Sequence, residues 1–165
     1  MILSMRTLNR KSEISGRIAA DPLVTVAKLA ELNSKLARLK AVRPEAASEV
    51  SRLAQLGDFS ENAEYQAAKG RLRGINSGIT NLENQLNHAV IITPQKQTRT
   101  IGVGHTITIE TGGTQKILQI LGSAETNPAR GIISHNSPIG AALMGRRVGD
   151  VANIQLAHTM VEYRI

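Results

Sequence analysis

Two acidic residues, Asp58 and Glu61, have a spacing that could support chemistry. They stand three positions apart, so within one helical turn both carboxylates would lie on the same side. Exposed carboxylates placed in this way could supply oxygens to a magnesium ion, which commonly binds one or two protein carboxylates and keeps several waters. The same pattern is typical of a helix N-terminus, where acidic side chains satisfy free backbone amides. The residues alone favour the capping interpretation.

The sequence around this pair predicts two long helices joined by a tight turn at residues 57–61. Before the turn, one apolar stripe advances in steps of three or four residues, through Leu29, Leu32, Leu36, Leu39, Ala46, Val50 and Leu53. After the turn, a second stripe follows heptad spacing, through Tyr65, Ala68, Leu72, Ile75, Ile79, Leu82, Leu86 and Ala89. Two narrow stripes are best buried against each other, so residues 25–92 are predicted to form an antiparallel coiled-coil hairpin.

A proline interrupts the first of these stripes. At Pro44 the ring removes a helical hydrogen bond, and it disfavours helical geometry at Arg43. We therefore expect a kink or a break in the first helix at this point.

Residues 101–165 change to the alternating pattern of β-strands. Thr106-Ile-Thr-Ile-Glu110 alternates polar and apolar residues, and Thr111-Gly-Gly113 supplies a turn. Further strands are predicted at residues 116–121, 131–134, 151–156 and 159–165, and a short helix at residues 138–144. We expect an α+β fold, in which the hairpin precedes a small antiparallel β-sheet domain with a short helix. Residues 93–100 are predicted to be a linker, and residues 1–24 a flexible N-terminal extension.

The composition limits the classes of function. A net charge of +7 and a pI near 10.3 favour an acidic partner, while 2% aromatic residues leave little for stacking bases. The absence of cysteine excludes a thiolate nucleophile and Cys-ligated zinc. No run of about 18 apolar residues occurs and no secretion signal is evident, so we expect no membrane span and a cytoplasmic protein. The sequence contains no self-contained active site.

A longer motif surrounds the acidic pair. The segment Gly57-Asp-Phe-Ser-Glu-Asn-Ala-Glu-Tyr-Gln-Ala-Ala-Lys69 resembles the signature of the Gre family of bacterial transcript cleavage factors. That signature reads Gly-Asp-Leu-Ser-Glu-Asn-Ala-Glu-Tyr followed by Ala-Ala-Lys. In the second half, Asn136-Ser-Pro-Ile139, with Ala142-Leu-Met-Gly145 after it, is similar to the C-terminal motif of the family.

The resemblance implies a function and a partner. Family members carry an FKBP-like second domain, bind bacterial RNA polymerase at its secondary channel, and stimulate the intrinsic cleavage of backtracked RNA by the polymerase. The chain would then not be an enzyme itself. It would have no cofactor of its own, because the Mg²⁺ belongs to the polymerase active site. Its partners would be the polymerase and the RNA 3′ end, and we expect it to act as a monomer.

The resemblance also implies roles for particular residues. Asp58 and Glu61 would assist the polymerase active site by sharing its Mg²⁺, only in the complex. The RNA would be contacted by Arg43, Arg52, Lys69, Arg71 and Arg73, although charges on a coiled-coil flank are more commonly just solvated. The polymerase would be bound by Asn136, Ser137, Pro138 and Ile139.

Three positions depart from the family pattern and leave alternatives open. The arginine usual before the tip aspartate is Ala54, the glutamate usual after Ala-Ala-Lys is Gly70, and a basic residue common near the C-terminal motif is Ala141. These departures motivate a second hypothesis, a Gre-like inhibitor that occupies the same channel. A third hypothesis is a peptidyl-prolyl isomerase-like module, which requires an aromatic-lined pocket; Tyr163 is the only aromatic residue after Tyr65.

Overall fold

The computed structural model describes residues 21–55, 63–93, 99–156 and 159–165, which form a helical hairpin followed by a sheet domain. In chain order the elements are β1 (Leu23–Val24), α1 (Val26–Ala54), α2 (Ala63–Asn87), β2 (Val90–Ile91), β3 (Thr106–Thr111), β4 (Thr114–Leu121), β5 (Ile132–Ser134), α3 (Pro138–Leu143), β6 (Val151–Leu156) and β7 (Thr159–Arg164). Two 3₁₀ turns, Ser123–Glu125 and Pro128–Arg130, lie between β4 and β5. Within these ranges, no helix has the length and apolar character needed to cross a membrane.

Helices α1 and α2 form the predicted hairpin. Thr25 caps α1, and its hydroxyl accepts a hydrogen bond from the Lys28 amide at 3.1 Å. Every residue of the two predicted apolar stripes is at least partly buried. Only a few residues of these two helices are buried, namely Leu32, Ala46, Leu53 and Leu82. The hairpin is therefore a slender rod held by a single seam, and the 29 residues of α1 span about 43 Å.

A break at Pro44 is excluded, because α1 continues through it from Val26 to Ala54; a kink at this point stays a prediction. Pro44 lies on the exposed side of the helix, as do Lys40 and Arg43. The carbonyl of Lys40, which the proline leaves without its helical donor, therefore lies on the solvent side, where water can satisfy it. Burial of Ala46 and Leu53 beyond the proline keeps the helix in register with α2.

A short parallel strand pair closes the base of the hairpin. β1 pairs with β2 in the register Leu23 to Val90 and Val24 to Ile91. Residues 21–24 were predicted to belong to the N-terminal extension, but they form β1 and its approach. The linker prediction falls largely on residues 94–98, and the rest of the extension on residues 1–20; both ranges lie outside the described residues.

The sheet domain contains all five predicted strands in the order β5-β4-β3-β7-β6. Gly112 and Gly113 adopt φ values of 56° and 74° in the turn between β3 and β4, as a tight type I′ turn requires. The predicted α+β class is confirmed. The sheet is mixed, however, because β5 pairs with β4 in parallel: the segment with the two 3₁₀ turns brings the chain back, so that β5 runs in the same direction as β4. FKBP-like topology stays a prediction.

One face of this sheet and α3 enclose the core of the domain. Its buried members are Ile101, Ile109, Ile120, Ile133, Leu143, Ala152, Ile154 and Tyr163. Side chains on alternate positions of β3, β6 and β7 point into this core, as the period of two predicts. The predicted short helix is confirmed as α3, which packs on β5 and β6.

Candidate functional site

The acidic pair Asp58 and Glu61 lies outside the described residues, and its metal-binding role stays a prediction. The flanking helices are described: α1 ends at Ala54, and α2 begins at Ala63. Both of these ends are far from β1 and β2, where the hairpin meets the sheet domain. Within the described ranges, no group of three or more His, Asp or Glu side chains could hold a metal ion.

The five basic residues predicted to contact RNA divide between two flanks of the hairpin. Because each helical residue advances about 100°, α2 directs Lys69 and Arg73 to one flank of the seam and Arg71 to the other. We call the first the amide flank, defined by Arg43, Lys69, Arg73 and Asn76. We call the second the ion-pair flank, defined by Glu49, Arg52, Glu64 and Arg71.

On the amide flank, Arg43 and Lys69 contact neutral partners. The Nε of Arg43 donates to the Asn76 Oδ1 of the other helix at 2.8 Å. The Lys69 ammonium stands 5.7 Å from the centre of the Tyr65 ring, within the range of a cation–π contact. A shallow groove on this flank is lined by Lys69, Leu72, Arg73, Asn76, Ser77, Thr80, Asn81 and Asn84. It contains two cations and no acidic side chain, so this groove is positive.

The nearby acid on the amide flank already has a partner. The carboxylate of Glu83 forms an ion pair with the Nζ of Lys40 at 2.7 Å, which joins the two helices. Both side chains are about half exposed, so this pair contributes little to stability. The charges of Lys40 and Glu83 cancel locally, and those of Arg43, Lys69 and Arg73 remain.

On the ion-pair flank, the positive charges are balanced. Arg52 binds Glu49 through two hydrogen bonds, from Nε at 2.9 Å and from Nη2 at 2.8 Å. This hydrogen bonding lowers the pKa of the exposed Glu49 carboxyl and raises the pKa of Arg52. Arg71 also acts electrostatically on Glu49, and Glu64 on Arg52. All four side chains line one groove, where two acids face two cations.

The sequence contains a signal for this pairing that the prediction of RNA contacts did not use. Glu49 and Arg52 stand three residues apart in a helix, a spacing that places opposite charges in contact. Of the five predicted RNA contacts, Arg52 is therefore the most fully engaged within the chain itself.

The four predicted polymerase-binding residues have different structural roles. The Ser137 hydroxyl accepts from the Gly140 amide at 3.1 Å and donates to the Ser134 carbonyl, so it caps α3. Pro138 occupies the first turn of that helix, where a missing amide costs nothing. Ile139 packs against the core. Asn136 and Pro138 are exposed and accessible to a partner, whereas Ser137 and Ile139 are explained by the fold.

Two carboxylates at the junction of the hairpin and the sheet domain were not predicted from the sequence. Asp21 binds Ser123, and Glu125 binds Thr25. Each pair is separated by at least 100 positions, so no local spacing indicates it.

Two family models match the chain. The model described as "Transcription elongation factor, N-terminal" (GreA_GreB_N) matches residues 22–91. The model described as "Transcription elongation factor, GreA/GreB, C-term" matches residues 96–165. These matches cover the hairpin with its closing strands and the sheet domain, respectively.

Named relatives are similar over most of the chain. The transcription elongation factor GreA of Macrococcus caseolyticus is 40% identical over 129 residues, which span 76% of this chain and 82% of that protein. GreA of Streptococcus gordonii is 37% identical, over 80% of this chain and 85% of that protein. Among solved structures, GreA factor homolog 1 (Gfh1) of Thermus thermophilus is 30% identical, covers 86% of this chain and 94% of its own, and gives a TM-score of 0.41. The chain belongs to the GreA/GreB family of transcription elongation factors.

Proposed function

We propose that this chain binds bacterial RNA polymerase at its secondary channel and stimulates the cleavage of backtracked RNA by the polymerase. The observation that carries the proposal is the shape of the hairpin. A rod of about 43 Å, with one narrow seam, projects from a sheet domain. The chain segment that joins its two distal helix ends contains Asp58 and Glu61. Such a rod could carry two carboxylates into a narrow passage of a larger partner.

In this proposal the chemistry is shared between two proteins. Asp58 and Glu61 provide carboxylate oxygens, and the Mg²⁺ belongs to the polymerase active site. When bound there, the magnesium ion would stabilise the attacking and leaving oxygens of the displacement as a Lewis acid and would orient the attacking water. The chain itself is not the nuclease, and it acts where the polymerase works, in the cytoplasm.

The difference in charge between the two flanks supports an assignment of the RNA contacts mainly to one of them. Among the described residues, the amide flank offers three basic side chains without an acidic partner, together with the side chains of Asn76, Ser77 and Thr80. Arginine, lysine, amide and hydroxyl groups are the usual donors to phosphate and sugar oxygens. We propose that the extruded RNA follows this flank. Because Arg52 and Arg71 are balanced by acids, we assign them a smaller share of the RNA contacts than the family resemblance implied.

The sheet domain would supply the docking surface. Asn136 and Pro138 are exposed at the start of α3 and are available for contact with the polymerase. The isomerase hypothesis gains no support from the sheet domain, because it requires an aromatic-lined pocket and Tyr163 is buried in the core of that domain.

The proposal is tested with a stalled elongation complex that contains labelled RNA. Replacing Asp58→Asn together with Glu61→Gln keeps the shape and removes both charges. We expect the double variant to bind polymerase as the native chain does and to lose about 10- to 100-fold or more in cleavage rate, as when a group that supports a metal site is lost. The matched control is Glu31→Gln with Glu162→Gln, which removes two exposed charges elsewhere.

Two outcomes would contradict this function. Undiminished cleavage by the Asp58 and Glu61 variant would refute the role of the pair. If the native chain slowed elongation and released no short 3′ fragment, the inhibitor hypothesis, motivated by Ala54, Gly70 and Ala141, would replace it.

A further inference from the structure

The carboxylate of Asp21, which precedes β1, binds the backbone of the sheet domain at Ser123. The Oδ2 atom of Asp21 accepts hydrogen bonds from the amide of Ser123 at 2.7 Å and from its hydroxyl at 2.9 Å. The other oxygen, Oδ1, accepts from the Leu23 amide at 3.1 Å. His135 also approaches, with Nδ1 at 3.4 Å from Oδ2. The Asp21 side chain is only 5% exposed, and hydrogen bonds to an ionised carboxylate are stronger than those between neutral groups.

Conversely, the carboxylate of Glu125 in the sheet domain binds the hairpin at Thr25. The Oε1 atom of Glu125 accepts from the Thr25 amide at 2.6 Å, and Oε2 accepts from the Thr25 hydroxyl at 2.7 Å. Thr25 is the residue that caps α1. A negative charge at this position also interacts favourably with the helix dipole. Each unit therefore holds the backbone of the other with one carboxylate, an arrangement we call the reciprocal clamp, formed by Asp21, Ser123, Thr25 and Glu125.

Beside the reciprocal clamp, the backbones of the two units, the hairpin with β1 and β2 and the sheet domain, also touch each other directly. A Cβ atom built on Gly122 would collide with the Leu23 carbonyl, so the two backbones are in direct contact. Val24 is 1% exposed beside this contact. The parallel pairing of β1 and β2 adds hydrogen bonds from Val90 to the Pro22 carbonyl at 2.7 Å and from Ile92 to the Val24 carbonyl at 2.8 Å. Both ends of the hairpin are thus fixed close to Gly122.

The sheet side of the clamp is itself anchored. The hydroxyl of Ser123 lies 2.8 Å from the hydroxyl of Ser134, which also accepts from the Asn136 amide at 3.1 Å. Ser134 is the one polar residue among the described residues that is buried. Because Ser123 is tied to the end of β5, it cannot simply follow Asp21 if the hairpin swings.

We propose that Asp21 and Glu125 are positioning residues, whose reciprocal clamp fixes the direction in which the hairpin leaves the sheet domain. The rod is a lever: a rotation of about 10° at its base would move the end of α1 by about 7 Å. A misplacement of about 1 Å can cost a catalysed reaction about 100-fold. That the direction matters for RNA cleavage rests on the proposed function, whereas the direction itself is a property of the free protein.

The absence of native cysteine allows the direction to be measured directly. Spin labels are attached to cysteines introduced at Ser48, on the exposed side of α1, and at Asn153, on the exposed side of β6. Pulsed electron paramagnetic resonance then gives the distribution of distances between the two labels in the full chain. The test variant is Asp21→Ala with Glu125→Ala. The control, Glu31→Ala with Glu162→Ala, removes two exposed carboxylates outside the clamp.

We expect the native chain and the control to give one narrow distance distribution, and the clamp variant to give one at least about twice as wide, as expected when a constrained orientation is released. An unchanged distribution in the clamp variant would overturn the proposal. If that variant does not fold, Asp21→Asn with Glu125→Gln takes its place, because it keeps the side-chain volume. The same widening is then expected, and its absence would equally overturn the proposal.

The cleavage assay then separates the direction of the hairpin from its effect on the polymerase. The clamp variant is expected to bind polymerase within about threefold of the native chain and to lose about 100-fold in cleavage. A widened distribution with native cleavage would overturn the positioning role. Failure of the native chain to stimulate cleavage would instead refute the proposed function, and the distance measurement would still decide whether the clamp sets the direction.

Discussion

A Cβ atom added to Gly78 would stand 2.9 Å from Cδ1 of Leu39, so α1 and α2 approach closely at this point of the seam. The glycine is therefore part of the packing between the helices. Gly70 and Gly74 precede it at intervals of four residues in α2, and a Cβ at either position would meet nothing within 4 Å. Close packing explains Gly78, but it explains neither Gly70 nor Gly74.

Replacing Gly70→Ala or Gly74→Ala should stabilise the hairpin. Each substitution restricts the unfolded chain and adds a methyl group where there is open space, so we expect the free energy of unfolding to rise by about 0.5–1 kcal/mol. Urea unfolding followed by the helical circular dichroism signal measures this change.

The comparison variant for this prediction is Gly78→Ala. Its methyl group would push on the flexible end of Leu39, so the gain should be smaller than at Gly70 or Gly74. Equal stabilisation at all three positions would contradict the packing role of Gly78, and destabilisation at Gly70 would contradict the open space described there.

Replacing Gly140→Ala should destabilise the sheet domain. A Cβ at Gly140 would collide with the backbone carbonyl of Ser134, which has no flexible end that could move away. We expect a loss of about 1–3 kcal/mol in thermal or urea unfolding, the usual cost of overpacking. At Gly102 the nearest atom, in the His105 ring, would be an ordinary contact at 3.7 Å, so Gly102→Ala serves as a near-neutral control. A neutral effect of Gly140→Ala would show that α3 can move away from β5.

Asp21 should make the stability of the junction depend on acidic pH. Burial raises the pKa of its carboxyl, but hydrogen bonds from the Ser123 amide, the Leu23 amide and the Ser123 hydroxyl, together with nearby His135, outweigh it and hold the pKa below the ordinary value of 3.8. A carboxyl whose pKa is lower in the folded state stabilises the fold fully above the unfolded pKa. This contribution is lost as pH falls through the folded pKa.

The measurement compares unfolding of the native chain with that of Asp21→Asn from pH 7 down to about pH 2. Both chains of the comparison carry His135→Gln, so that protonation of the imidazole does not change the charge next to residue 21. In this background the difference in free energy of unfolding should be constant above about pH 5 and should shrink below about pH 3.8, the unfolded pKa. A difference that grew on acidification would contradict the described hydrogen bonding of Asp21.

The sequence predicted the elements whose side chains repeat with a regular period. The hairpin seam from Leu29 to Leu86 and the strands of the sheet domain follow from burial on one face, which any chain of this pattern must satisfy. The helix does not break at Pro44, because a proline on the exposed side of a helix costs less free energy than burial of the apolar seam on either side of it contributes.

Contacts between distant parts of the chain could not be predicted in the same way. The parallel pairing of Leu23 with Val90 and the binding of Glu125 to Thr25 depend on how the two units meet. The charge balance of the two flanks could be predicted only in part. The pairing of Glu49 with Arg52 can be predicted from their spacing, whereas the contact of Arg43 with Asn76 requires the register between α1 and α2.

Removing charge from the amide flank should impair RNA cleavage more than removing the same charge from the ion-pair flank. Lys69→Gln with Arg73→Gln removes two cations that line a groove without an acid. Arg52→Gln with Arg71→Gln removes two cations that face Glu49 and Glu64. If RNA follows the amide flank, the first variant should bind backtracked complexes more weakly. Its binding should also depend less on salt concentration, because fewer counterions are released when fewer phosphates are contacted.

The matched pair of variants makes this comparison independent of net charge, since each loses two positive charges. Cleavage rates and polymerase binding are measured at several salt concentrations for the native chain and both variants. We expect about a tenfold or greater loss of cleavage for the amide-flank variant at physiological salt, and a loss of less than about threefold for the ion-pair variant, because phosphate contacts depend on uncompensated cations. Equal losses would show that overall charge steers the factor, and the reverse order would place the RNA on the flank of Arg52 and Arg71.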